Sequence, residues 1–437
     1  MPLLSIRAPR FIIVKARRVC YTIFMTIQIE RIQKDIETIN KFNATPEKGI
    51  TRQTFSEEYQ GAVAYVVGEL KRIGAKISYC PAGNIKARLS GTDDNAPAVM
   101  MGSHLDAVVH GGKFDGVVGV VTALEAARTI LEDNVTHRLP IDVVVFAEEE
   151  GSRFNWGLLG SSIWTGKLDH SRLENIKDSQ GVTYSEAMVQ AGFEVSDPSV
   201  LEPQKLRAML EVHIEQGTVL EKQGHRIGLV EAIAGIKHLD ITITGRADHA
   251  GTTPMDDRSD ALQAAARIIA AVEEIAHEIG ANTVATVGRI TCEPGQANVV
   301  PGRVKFSLDI RNANKAILES AVTTITRRVK DFCGQRNLGF EITPLGSAEP
   351  VLLSSDIIDL LEEKARELNI EPLRMVSGAG HDTALLADLS ETGMIFVPSR
   401  DGRSHCPEEF TRLEDIGLGC EILLSTAIEL SAYQNAK

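Results

Sequence analysis

The sequence predicts a mixed α/β protein with an α+β domain inserted into it, and three observations predict it. Apolar, β-rich runs of strand length alternate with segments of helical period over residues 29–234 and again over 351–437, the pattern of a wound α/β core. Residues 235–350 change character, with strands that alternate apolar and polar residues as half-exposed antiparallel strands do. The length, 437 residues, exceeds what one hydrophobic core usually holds.

The elements follow in order. Ile29, Ile32, Ile36 and Ile39 recur at helical spacing, and Tyr59, Val63, Val66 and Leu70 mark a second helix over about 56–73. Short strands are expected at 75–80 and 85–89, a buried strand from Val99, a helix over about 117–131 and a buried strand at Ile141–Phe146. In the inserted part, Leu239, Ile241 and Ile243 share a strand face, as do Val304, Phe306, Leu308 and Ile310. Strands at 284–290 and 340–343 and helices at 259–279 and 315–332 complete it. Two helices on one face of a four-stranded antiparallel sheet is the assembly this predicts. After Pro350 the α/β pattern resumes, with a helix at 355–368, strands near 373–376 and 394–397, and a last helix over 413–433.

Composition narrows the function. The net charge of −13, with acids spread along the chain, argues against a nucleic-acid partner, and no apolar run approaches the length of a membrane span. The six cysteines are scattered without a CxxC pair, so neither a zinc finger nor a disulfide framework is indicated, and a reduced, cytoplasmic setting is expected. Residues 1–28 are set apart. Arg7, Arg10, Lys15, Arg17 and Arg18 meet no acid before Glu30, which reads as an N-terminal extension outside the fold, either a weak targeting segment or an over-long start ahead of Met25.

Residues 99–119 organise the rest. The run from Val99 delivers His104 and Asp106 to a strand end, two residues apart and so on one side, where a carboxylate can orient an imidazole. Gly111 and Gly112 allow a tight turn, and Asp115 precedes the next helix. By itself this reads equally as a core histidine beside an N-capping aspartate. Three further segments shift the balance: Glu149 and Glu150 after the strand ending at Phe146, His213 after Met209-Leu210, and His405 after the strand ending at Val397. Open α/β sheets place their ligands at such strand ends. Two histidines, a terminal carboxylate and a shared aspartate would hold two divalent ions about 3.5–4 Å apart. The donors suit zinc, manganese or cobalt, with a water between the ions acidified toward a pKa of about 7. A further carboxylate is then needed as base, and adjacent glutamates can supply ligand and base from one turn.

These residues carry a resemblance. Gly-Ser-His-Leu-Asp through Phe-Asp-Gly, Glu-Glu-Glu-Gly-Ser-Arg-Phe, His-Ile-Glu-Gln-Gly, Asp-His-Ala-Gly-Thr-Thr-Pro-Met and Ser-Gly-Ala-Gly-His-Asp resemble the amidase branch of the dinuclear M20 metallopeptidase family, from about Ile29 to the C-terminus. The resemblance implies a dinuclear-metal exopeptidase-like catalytic domain, residues 29–234 and 351–437, with residues 235–350 as an inserted lid and dimerisation domain of a homodimer. It implies that Asp115 bridges two metal ions, that His104 and His213 complete one site, and that Glu150 and His405 complete the other. Glu149 is then the general base and Asp106 the acid that orients His104. The matching substrate contacts are Gln216, His249, Asn298, Arg311 and the backbone at Gly380, with His249 also placed to stabilise an oxyanion. The implied reaction is metal-dependent cleavage of the ureido C–N bond of an N-carbamoyl-L-amino acid. Allantoate is the alternative substrate, then a dipeptide or acylated amino acid. A non-catalytic binding protein on the same scaffold would lack a ligand or the base, and none is missing from the sequence.

Overall fold

In the computed structural model, residues 26–280 and 282–432 are described, and of the N-terminal extension only the backbone of an antiparallel strand pair, Ile12–Ala16 with Val19–Ile23. Residues 1–11, 17–18 and 24–25 of the segment expected as an extension lie outside the described residues. The chain divides into two units. The first comprises residues 1–231, 353–375 and 380–437, and the second residues 232–352 and 376–379.

Four parallel strands form the centre of the first unit, in the order Glu391–Val397, Leu206–Ile214, Ala98–His104 and Ile141–Phe146. Ile85–Leu89 and then Lys76–Tyr79 continue antiparallel beyond Ile141–Phe146, and Gly228–Ile233 pairs antiparallel with Glu391–Val397. Every residue of Ala98–His104 and Ile141–Phe146 is buried, which is why these segments read as apolar runs rather than alternations. The helices Val117–Glu132 and Leu413–Ala432 pack on this sheet and on each other. Both are buried on nearly all sides, as expected of helices that are apolar all round. The helix Ile29–Ile39 covers them and buries only Ile32, Asp35, Ile36 and Ile39. Ser56 caps the helix Glu57–Arg72, its hydroxyl accepting from the Tyr59 N–H.

In the second unit, Gly339–Ala348, Gly235–Thr244 and Arg303–Asn312 pair antiparallel in that order. The strands Val284–Thr286 and Ile290–Glu293 both lie along the free edge of Arg303–Asn312. Leu239, Ile241, Ile243, Val304, Phe306, Leu308 and Ile310 bury one face of this sheet against the helices Ala261–Ile279 and Lys315–Gly334. Asp260 and Asn314 cap the two helices through their side chains. The strand expected over 284–290 is in two pieces. Between them the Arg289 N–H donates to the Ser307 hydroxyl, while the Ser307 N–H donates to the Arg289 carbonyl, so a side chain takes the place of one ladder bond. Among the described residues no helix is long and apolar enough to cross a membrane, and the five described cysteines are unpaired.

Candidate metal centre

The C-terminal ends of the central strands carry the chemistry of the first unit. His104 ends one strand and His213 stands next to the end of its neighbour, each only 1% exposed. His104 Nδ1 lies 3.1 Å from the Asp106 carbonyl and His213 Nδ1 lies 2.9 Å from the Ile214 carbonyl. A carbonyl only accepts, so each ring carries its proton on Nδ1 and presents Nε2. Both Nε2 atoms face one oxygen of Asp115, at 3.5 Å from His104 and 3.2 Å from His213. The other Asp115 oxygen faces His405 Nε2 at 3.4 Å, and that nitrogen lies 3.2 Å from Glu150. Two candidate ligand clusters therefore share Asp115: His104–Asp115–His213 and Asp115–Glu150–His405. Glu149 stands beside them, 3.7 Å from His104 Nε2.

Backbone strain gathers here. Glu148, Gln216 and His405 are non-glycine residues in the left-handed region, with φ of 54°, 58° and 56°, a conformation that costs of order 1–3 kcal/mol each and persists only when its surroundings enforce it. Gly116, φ 65°, lies so close to His104 that a Cβ there would come within 2.4 Å of the ring.

The site demands positive charge. Burial opposes a charged His104, but the carboxylates of Glu149, Asp115 and Asp106 outweigh it and hold its pKa well above the ordinary value. Burial likewise opposes a charged His213, and Asp115 raises it nonetheless. Asp115 and Glu150 push His405 up to about 11. Burial acts to raise Asp115, yet the three imidazoles hold it well below the carboxylate range. Burial raises Glu149 and Glu150, each further raised by an acidic neighbour. One oxygen of Glu150 is buried without a hydrogen-bond partner. Buried carboxylates and outward-facing imidazole nitrogens with an orphaned acceptor are the donor set of a divalent cation, so the residues fit the metal that the sequence implies.

Asp106 works differently from the expected same-side strand pair. The strand stops at His104, and it is the Asp106 carbonyl that meets Nδ1, the carboxylate lying 3.7 Å away. That carboxylate instead accepts the N–H groups of Glu149 and Glu150, at 3.3 and 3.0 Å, and so fixes the glutamate turn. Gln216 also joins the cluster, its amide donating to Asp115 at 2.6 Å. Gly380 is exposed, directly before His381 in the loop that follows the strand Leu373–Ser377. The remaining expected residues stand on the second unit. His249 is exposed on a two-residue strand paired to Val299–Val300, its Nδ1 accepting from the Gly251 N–H. Asn298 adjoins it through the Ala250 N–H to Asn298 carbonyl bond. Arg311 donates Nε and Nη2 to Asp309, both at 3.0 Å, and Nη1 to the Gly378 carbonyl at 2.7 Å.

Several participants escape sequence reasoning. Glu409 accepts from the Phe114 and Asp115 N–H groups, and Ser404 bonds to Asp115. Asp309 braces Arg311 and is itself met by His238 at 2.7 Å. Arg52, fully buried, donates to the Leu105 carbonyl between His104 and Asp106. A third group, Glu211–His213–His381, has both glutamate oxygens already taken by the Ser103 and Thr383 hydroxyls. Glu409, Asp309 and Arg52 lie in no ligand-type motif, and only the proximity of Ser404 and Glu409 to His405 in sequence gives a signal.

Comparison with known proteins gives a consistent picture. The profile described as "Peptidase family M20/M25/M40" matches residues 100–429. The chain is 39% identical over 399 residues to an N-carbamoyl-L-amino-acid amidohydrolase of Paenarthrobacter aurescens, covering 91% of this chain and 97% of that one. It is 34% identical to an allantoate amidohydrolase of Bacillus subtilis, covering 91% of this chain and 96% of the relative. Among solved structures, an amidase of the hydantoinase/carbamoylase family from Burkholderia multivorans superposes with a TM-score of 0.90 at 31% identity, covering 94% of this chain and 99% of that one.

Proposed function

The chain belongs to peptidase family M20/M25/M40, and from that premise we propose that it hydrolyses the ureido C–N bond of N-carbamoyl-L-amino acids, using two divalent ions of zinc, manganese or cobalt. Its relatives are named amidohydrolases, and an enzyme acting on such C–N bonds is what the family membership supports. The observation that carries the reading is Asp115, which turns one oxygen to His104 and His213 and the other to His405 near Glu150. Ions bound there would supply electrophilic polarisation of the ureido carbonyl and acidify water.

The chain's own residues do the rest. Glu149 takes a proton from the attacking water, a C–O bond forms at the ureido carbon, and the same glutamate delivers the proton to the amino-acid nitrogen as the C–N bond breaks. The products are the amino acid and carbamic acid, which falls apart to ammonia and carbon dioxide. His249 is the donor proposed for the developing oxyanion, where stabilisation counts most in the transition state, and Asn298 is a proposed substrate contact. Arg311 is suited to the substrate carboxylate. Asp309 and Gly378 occupy three of its five N–H groups, leaving one on each terminal nitrogen, the fork that grips a carboxylate from its end. Gln216 and the Gly380 backbone complete the proposed contacts. As in the sequence reading, the second unit is proposed as lid and as the pairing surface of a homodimer.

The test is ammonia release by the manganese-loaded enzyme, with N-carbamoyl-L-amino acids and allantoate compared side by side. A large kcat/KM advantage for the carbamoyl amino acids is expected. An advantage for allantoate moves the enzyme to the other amidohydrolase branch. Turnover of neither, with chelator-sensitive dipeptide cleavage instead, overturns the ureido reading.

A further inference from the structure

Two ligand-bearing loops, one with Asp115 and the other with His405, are fastened together by one buried carboxylate. We propose that Glu409 is the positioning residue that makes the two candidate clusters a single site, a role that rests on the reading of those clusters as metal sites. Glu409 is 3% exposed. One of its oxygens accepts the N–H groups of Phe114 and Asp115, at 2.7 and 3.1 Å. The other lies 2.7 Å from the Ser404 hydroxyl, which in turn lies 2.8 Å from the Asp115 oxygen that faces His405. The chain leaves room for this carboxylate: a Cβ at Gly112 would come within 2.1 Å of the Glu409 carboxyl carbon.

The consequences for Asp115 are geometric. Its backbone is pinned by the N–H bond to Glu409, and the rotation of its carboxylate is pinned by Ser404 together with the Gln216 amide, which donates to the same oxygen. Both must hold if one oxygen is to face His104 and His213 while the other faces His405. Without Glu409, two buried N–H groups lose their acceptor and the His405 loop loses its tie to the Asp115 loop. Glu409 meets Asp115 at its backbone N–H and Ser404 at its hydroxyl, so it acts through those two residues. The proton count names the conservative variant. Ser404 has a single hydroxyl proton between two carboxylates, so a donor at position 409 completes the chain. A glutamine offers its oxygen to the two N–H groups and its amide to Ser404.

The experiment is equilibrium dialysis of metal-stripped full-length protein against Mn²⁺, with bound ions counted for wild type, Glu409→Ala, Glu409→Gln and Ser404→Ala. Wild type is expected to bind two ions. Glu409→Ala should lose about 10–100-fold in affinity for at least one of them, the range found when supports of metal ligands are removed. Glu409→Gln should stay within a few-fold of wild type, and Ser404→Ala should weaken one ion. Circular dichroism of the metal-free proteins checks folding, and if Glu409→Ala does not fold, Ser404→Ala carries the test. Two ions bound at wild-type affinity by Glu409→Ala, or by Ser404→Ala where it carries the test, overturns the proposal. So does a glutamine variant as weak as the alanine one, since charge and not fastening would then matter. A wild type that binds no pair of ions sinks the metal reading itself, a result distinct from either.

Discussion

His405 is held by two acidic neighbours, and protons and metal ions compete for it. Its pKa rises from 6.5 to about 11 because Asp115 and Glu150 both accept from it. The protonated ring therefore stabilises the metal-free fold fully below about pH 6.5, a contribution lost as pH rises through about 11. An ion taking Nε2 must expel that proton. Metal affinity is expected to rise with pH across this window, with log K climbing by at least one per pH unit, and calorimetry in buffers of different ionisation enthalpy should read at least one proton released. Affinity independent of pH would contradict the charge balance described. Glu149 calls for a different experiment. Replaced by glutamine, it should leave metal content intact while kcat falls by about 10²–10⁴-fold, the usual worth of a general base; near-normal turnover would remove it from that role. The candidate ligands were legible in the sequence because few residue types bind cations and these sit at predicted strand ends. Glu409 and Asp309 were not, since hydrogen-bond supports can be many residue types. The Glu409–Asp115 contact also spans 294 residues, which no local pattern records.

At the scale of elements, one guanidinium ties three helices. Arg128, on the helix Val117–Glu132, reaches Asp35 on Ile29–Ile39 and Glu69 on Glu57–Arg72, each at 2.5 Å. Arg128 and Asp35 are both almost fully buried. Arg128→Met would leave buried Asp35 without a cationic partner, and breaking such a buried pair costs about 3–5 kcal/mol, which urea unfolding should show as a lower midpoint with little change in slope. Gly116 links an element to the site. In Gly116→Ala the new Cβ meets the His104 ring and an unfavourable φ together, so metal affinity should fall about tenfold, the roughly 1.4 kcal/mol that a decade represents, as read by dialysis. Helix and strand positions were readable because period and burial coincide, as in Val304, Phe306, Leu308 and Ile310. The break between Thr286 and Ile290 was not, because it depends on the Ser307 hydroxyl across the sheet.

At the scale of the whole molecule, the two units differ in what an ion can do for them. All the candidate ligands, His104, Asp115, Glu150, His213 and His405, belong to the first unit, and they come from four separate stretches of its chain. An ion that binds only the folded arrangement therefore closes long loops within that unit, stabilising it by about 2.7 kcal/mol when free metal is a hundredfold above Kd. The second unit has its own core of Leu239, Ile241, Ile243, Phe306 and Leu308 beneath two helices, and no residue of the shared-aspartate clusters lies in it. Hydrogen exchange with and without Mn²⁺ separates the two. Protection should rise in peptides covering residues 104–115, 149–150, 213–216 and 404–409, and stay unchanged over 239–243 and 304–310. Equal gains in both sets would mean that metal stabilises the molecule as one cooperative body. Gains confined to the second would place the ions elsewhere, and the assignment built on Asp115 would fall with them.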